Sequence, residues 1–149
     1  GGYGGFMAAV SRGAAEAGGR VVGMTAPDLF PSRSGPNEWV DEERPSGSLA
    51  ERVGTLLADS GAVIALPGAV GTLAELLVAW HEAQIERAHD RPTRPILAVG
   101  PEWEALVGDL EASHEAARGL VSTAASIGPG DLYDDAYRHE PPRRTQTYI

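Results

Sequence analysis

The 149 residues suffice for one domain with a single buried core, and at 42% hydrophobic and 22% charged they describe neither a disordered nor a membrane-embedded chain. A formal charge of −9 argues against nucleic acid as a partner, and no apolar stretch approaches the roughly 20 residues of a membrane-spanning helix. Cysteine and lysine are both absent, so these residues hold no disulfide, no thiolate nucleophile or thiolate metal site, no lysine for a pyridoxal-phosphate Schiff base and none for the usual nucleotide-triphosphate loop.

The first stretch, "GGYGGFMAAVSRGAAEAGG", reads as a glycine loop leading into an alanine-rich helix that Gly18-Gly19 stops. Because such a loop normally follows a strand, at least one strand is expected ahead of Gly1. "RVVGM" (20–24) reads as a short β-branched strand. Residues 25–47 hold four prolines and two glycines with no sustained period, and are expected to form a long loop. Loops of that length tend to be functional or mobile, and Trp39 is a candidate to close over a ligand.

Ser48 fits the N-cap of a helix in which Leu49, Val53, Leu56 and Leu57 share a face. "AVIALP" (62–67) is continuously apolar, the pattern of a parallel strand covered on both faces. A helix is predicted from Thr72 to the neighbourhood of Arg87, with Leu73, Leu76, Leu77, Trp80 and Gln84 or Ile85 at helical spacing. "RPILAVG" (94–100) is a further buried strand, "PEWEALVGDLEASHEA" a helix opened by proline, and "LVSTAAS" (120–126) a weaker strand. "GDLYDDAYRH" reads as a short terminal helix, and residues 141–149 as a loose tail. Strands and helices alternate throughout, so the expected fold is α/β with a mostly parallel sheet, in one domain over 1–140.

In an open parallel sheet, ligands bind beyond the carboxyl ends of the strands, where loops lead into helices. "PGAVGT" (67–72) occupies such an end, and "GGYGG" (1–5) has the same context. Glycines let the backbone approach a ligand, and the first N–H groups of the following helix point at an anion, which the helix dipole also favours. Phosphate is the natural occupant, with Gly1, Gly2, Gly4, Gly5, Gly68, Gly71 and Thr72 as the candidate phosphate-binding residues. Either loop alone reads equally well as a tight turn; two in one chain favour the ligand.

Glu75 falls in the expected first turn of its helix, where a carboxylate could merely complement the dipole, worth about 0.3–1 kcal/mol. Its functional reading is a group that binds the hydroxyls of a sugar beside the phosphate and acts as general base on water. Arg52, beside an apolar stripe, would by itself read as part of a solvated face. The histidines at 81, 89, 114 and 139 show no convincing partner spacing, and Trp80 reads as core or subunit interface.

These residues resemble a known family. "GGYGGFMAAVSRGAAEAGGRVVGM", Arg52 and "ADSGAVIALPGAVGTLAE" are similar to the Rossmann-like proteins often labelled lysine decarboxylases. The best-known members are the LONELY GUY cytokinin-activating phosphoribohydrolases, and the molybdenum cofactor carrier proteins are relatives. The family's hallmark, Pro-Gly-Gly-x-Gly-Thr-x-x-Glu, is matched by Pro67, Gly68, Gly71, Thr72 and Glu75, and the arginine of its Arg-Lys pair falls on Arg52. Three positions depart: Ala69 stands for the second glycine, Val53 for the lysine and Leu49 for a common methionine. An alanine at 69 would be strained if the backbone there needed positive φ.

The resemblance implies a doubly wound Rossmann-like fold with helices on both faces of the sheet. It also implies a cytoplasmic homodimer that takes a small-molecule nucleotide, with no nucleic acid, membrane, metal or organic cofactor. Arg52 and Glu75 would be the catalytic pair in hydrolysis of the N-glycosidic bond of a nucleoside 5′-monophosphate, of adenine or N6-substituted adenine type. The alternative is a non-catalytic carrier of a nucleotide-like or pterin-phosphate ligand. The retained Arg52 and Glu75 favour the enzyme; Val53 and Ala69 favour the carrier. A lysine decarboxylase is rejected, for want of the lysine.

Overall fold

A computed structural model describes residues 2–33, 35–126 and 146–148. The terminal helix expected over 130–139 and Gly1 lie outside them. The described residues form α/β structure in two compact units. Each unit has its own three-stranded sheet, and every strand pairing in both is parallel.

The first unit covers Gly1–Ser60 together with a C-terminal strand. Helix α1 (Phe6–Glu16) follows the glycine loop and ends at Gly18, whose φ of 77° allows the left-handed turn that stops it. Strand β1 (Arg20–Thr25) is buried from Val21 to Thr25 and forms the centre of a sheet in the order β2-β1-β6. Strand β2 (Glu42–Pro45) lies inside the stretch expected to be loop, and β6 (Gln146–Tyr148) inside the tail expected to be loose. The sequence of β2, "EERP", carries none of the β-branched or aromatic residues that mark a strand. Charge and proline suit an edge, where one side of the ladder must discourage further pairing. Ion pairs hold it: Glu42 with Arg20 and, at 2.6 Å, with Arg44, which also reaches Asp59 at 2.6 Å.

Helix α2 (Leu49–Ala58) begins as expected at Ser48, whose hydroxyl accepts from the Glu51 N–H at 3.1 Å, while the Glu51 carboxylate accepts from the Gly47 N–H at 2.8 Å. It buries Arg52, Val53 and Leu57, whereas Leu49 from the expected apolar face is exposed.

The second unit begins at Gly61, with strands in the order β3-β4-β5. Strand β3 (Val63–Ala65) is shorter than its apolar run and is not covered on both faces: Ala65 is buried, but Ile64 is 46% exposed. Helix α3 (Val70–Ala88) buries Leu76, Ala79, Trp80 and Ala83, and leaves Leu77, Val78 and Ile85 exposed. Trp80 belongs to the core, where its Nε1–H donates to the Ala117 carbonyl at 2.9 Å. Strand β4 (Ile96–Val99) leads through Gly100 to α4 (Pro101–Ser113), a 3₁₀ turn (Glu115–Ala117) and β5 (Ser122–Ala124). Among the described residues no helix is long and apolar enough to cross a membrane.

Candidate active site

In the first unit the candidate residues gather at the carboxyl end of β1. Gly2, at φ 92°, is packed so tightly that a Cβ would stand 3.0 Å from the Gly23 Cα, so no other residue fits this contact without a shift. Tyr3 is buried, and its hydroxyl accepts from the Ala26 N–H at 2.9 Å. Gly4 and Gly5 are exposed, and Gly5, at φ 68°, is the N-cap of α1. A glycine cannot cap with a side chain, so the N–H groups of Phe6, Met7 and Ala8 precede the first intrahelical bond, Ala9 N–H to Gly5 carbonyl, at 3.1 Å.

Arg52, rather than lying on a solvated face, is only 8% exposed, and its Nε–H donates to the Met24 carbonyl at 3.0 Å. Both the glycine loop and Arg52 therefore rest on the last three residues of β1. Val53, at the position of the family's lysine, is buried core.

Two further contributors lie in the stretch after β1. The Asn37 side-chain nitrogen is 3.0 Å from each of three acceptors, the carbonyls of Gly2 and Tyr3 and the hydroxyl of Ser11, while the Asn37 N–H donates to Gly2 at 2.6 Å. The loop is thereby tied to the glycine turn, and its Trp39, half-buried, donates its N–H to Asn37 Oδ1 at 3.1 Å. Arg33 rests against the rings of Tyr3 and Phe30. The only sequence signal for either residue was the unusual length of the loop, because contacts across more than 25 residues leave no local pattern.

In the second unit the hallmark residues follow β3. Ala69, not Thr72, opens the helix, with φ −88° and ψ −167°. This extended geometry is open to any residue, so alanine here carries no strain. The earlier start moves Gly71 and Thr72 into the first turn and Glu75 into the second. The first turn of α3 holds no acidic residue, so Glu75 is not the dipole-complementing carboxylate the sequence allowed.

Gly68 packs against Thr72 so closely that a Cβ would come within 2.2 Å of the Thr72 hydroxyl oxygen. Gly71 has open space where a side chain would stand. No side chain caps α3, and the N–H groups of Val70, Gly71 and Thr72 precede its first internal bond, Leu73 N–H to Ala69 carbonyl, at 3.2 Å. Thr72 and Glu75, three residues apart, share a helix face.

A family described as "Possible lysine decarboxylase" matches residues 7–126. The chain belongs to this family. The family's label does not extend to the chemistry of these residues, which contain no lysine to form the Schiff base of such a decarboxylase. The family members that resemble it carry a different activity in their names. One, 38% identical over 126 residues, is a probable cytokinin riboside 5′-monophosphate phosphoribohydrolase of Oryza sativa subsp. japonica, with 84% of this chain and 49% of that protein covered. Two cytokinin riboside 5′-monophosphate phosphoribohydrolases of Arabidopsis thaliana are 34% and 33% identical over 127 residues, each with 84% of this chain and 56% of the relative covered. The chain thus spans about half the length of the curated relatives it matches. Among the described residues no three His, Asp or Glu side chains gather as a metal-binding group.

Proposed function

We propose that the protein hydrolyses the N-glycosidic bond of a nucleoside 5′-monophosphate, of adenine or N6-substituted adenine type. The observation that carries this reading is the start of α3: an uncapped turn of three N–H groups, with Thr72 and Glu75 on one face behind it. The N–H groups and the Thr72 hydroxyl take the phosphate, whose charge the helix dipole favours. Glu75 holds the ribose hydroxyls and polarises a water as positive charge develops on the sugar. The C1′–N bond breaks, the water oxygen bonds to C1′, and a proton passes to the departing base, giving free base and ribose 5-phosphate. By resemblance Arg52 is the other member of the catalytic pair, positioning the phosphate or offsetting negative charge in the transition state.

The names of the relatives support the reaction and the cytokinin type of substrate. A cytoplasmic homodimer completes this reading, with the exposed Leu77, Val78 and Ile85 of α3 as apolar surface for the second subunit. A carrier protein is the second reading, favoured by Val53, which fills a cation position of the family with buried hydrocarbon.

Incubation of the full-length protein with a panel of nucleoside 5′-monophosphates, N6-substituted and plain, separates the two. Release of free base with an equal amount of ribose 5-phosphate is expected, and the best substrate names the base. Nucleotide binding without release of base would leave the carrier.

A further inference from the structure

A carboxylate of the second unit, Glu102, stands at the carboxyl end of the sheet without a partner. Strand β4 ends in Gly100, whose φ of 132° is rarely open to a residue with a side chain, and whose N–H donates to the Ala124 carbonyl of β5 at 2.8 Å. Trp103, 3% exposed, seats the first turn of α4 in the core, and its backbone N–H donates to the Gly100 carbonyl at 3.1 Å. Between these two fixed residues the Glu102 side chain turns back over the strand end. A Cβ on Gly100 would stand 2.6 Å from a Glu102 carboxylate oxygen and 3.1 Å from the Pro67 ring, so carboxylate and ring share the place above Gly100.

Pro67 opens the hallmark loop, so this carboxylate lies beside the loop of the same unit that carries Thr72 and Glu75. Among the described residues it has no hydrogen-bond or ion-pair partner, and it does not cap α4 by a hydrogen bond. An anion beside a phosphate-binding turn opposes the ligand unless the ligand brings it donors. From Pro67 to Val70, whose N–H opens that turn, the chain spans ~10 Å at full stretch. One sugar ring from its phosphate a nucleotide carries two neighbouring hydroxyls, whereas the exocyclic amine of adenine is much farther out. An ionised carboxylate only accepts, through two oxygens, and so matches that pair of hydroxyl donors.

We propose that Glu102 accepts the 2′- and 3′-hydroxyls of the ribose and makes the protein select ribonucleotides over deoxyribonucleotides. This inference rests on the nucleotide reading above. It does not depend on the hydrolysis, because selection is read from binding. Glu102 adds an acceptor to that of Glu75, which must also meet the attacking water.

The test compares the full-length protein with Glu102→Ala and Glu102→Gln. Dissociation constants are measured by calorimetry for adenosine 5′-monophosphate and its 2′-deoxy and 3′-deoxy analogues, and base release is followed in parallel. The wild type is expected to hold the ribonucleotide about tenfold or more tighter than either analogue. Glu102→Ala is expected to lower that preference by about tenfold, through weaker binding of the ribonucleotide, with the analogues bound as before or slightly tighter once the like charge is gone. Glu102→Gln, which keeps one acceptor oxygen and loses the charge, falls between. An unaltered ratio in Glu102→Ala, beside tight binding of the nucleotide, overturns the role of Glu102 and leaves the nucleotide reading standing. Equal weakening of all three ligands marks a structural role and also overturns it. A wild type that binds none of the three removes the nucleotide reading and this inference together. A wild type that shows the preference yet releases no base removes the hydrolase reading and leaves the Glu102 comparison intact.

Discussion

The four α-helices among the described residues start in two different ways. Helices α2 and α4 answer their own N-terminal ends: α2 with the Ser48 hydroxyl on the Glu51 N–H and the Glu51 carboxylate on the Gly47 N–H, α4 with Pro101 at its first position and Glu102 and Glu104 in its first turn. Helices α1 and α3 do neither. Each follows a glycine-bearing loop, has no side-chain cap and carries no acidic residue in its first turn. An uncapped helix forgoes about 1 kcal/mol that a Ser or Asp would supply. Helix α4 also lacks a side-chain cap, at Gly100. Among the described helices only the two starts expected to meet phosphate, where an internal carboxylate would compete with the ligand, lack both a cap and an acidic first turn. Stability and binding make opposite demands on the same backbone groups.

The sharpest way to break this comparison is to give α3 the kind of end that α2 has. Ala69 already holds the extended geometry of an N-cap, so Ala69→Asp should stabilise the fold by about 1 kcal/mol. It should also weaken nucleotide binding by about ten- to a hundredfold, through occupied N–H groups and like charge. Thermal melting and calorimetry on the same sample read both signs. A variant that gains stability and binds as before would show that α3 does not await an anion.

Next in size is the loop that frames the α1 start. Asn37→Ala leaves the carbonyls of Gly2 and Tyr3 without their side-chain donor and should cost about 2 kcal/mol in denaturant unfolding. Ser48→Ala removes the α2 cap and should cost about 1 kcal/mol with KM unchanged, because this end has no ligand to meet. A matching rise in KM would erase the distinction between the two kinds of start.

The smallest effect concerns β2. The hydrogen bond from Arg44, with the charges of Arg44 and Arg20 acting in the same sense against a smaller desolvation effect, holds the Glu42 carboxyl below its ordinary value of 4.5. A depressed carboxylate stabilises the folded state above the unfolded value, and that contribution fades as pH falls through the folded one. Glu42→Gln should therefore melt slightly lower than wild type at neutral pH, and the gap should close below pH 4.5. A gap that persists in acid would assign the role of Glu42 to something other than its charge.

Much of this was legible beforehand where the information is local. Ser48 as a cap, Gly18 as a stop and β1 as a strand follow from composition and spacing within one turn or strand, and of the face expected for α3 Leu76 and Trp80 are buried while Leu77 and Ile85 are exposed. The hallmark positions were legible too, although the helix start was misplaced by two residues. Gly71 looked like a loop residue, yet the extended backbone of Ala69 starts the turn before it. What escaped was long-range or edge-specific. Strand β2 is held by pairing with β1 and by arginine–carboxylate contacts, so its own residues carry no strand signal. The exposed Ile64 reads as core in sequence because an apolar residue at a sheet edge looks like one at its centre. Asn37 and Arg33 acquire their partners only when the loop folds back on Tyr3.

The central claim is that the face of α3 behind its open end performs hydrolysis. The direct measurement is base release by Glu75→Gln, under conditions in which nucleotide binding to the variant is measured separately. Loss of a general base should lower kcat by about 10²- to 10⁴-fold while the dissociation constant for the monophosphate stays within a few fold of wild type. Base release by the variant at the wild-type rate, with binding equally intact, would contradict the account and remove Glu75 from the chemistry.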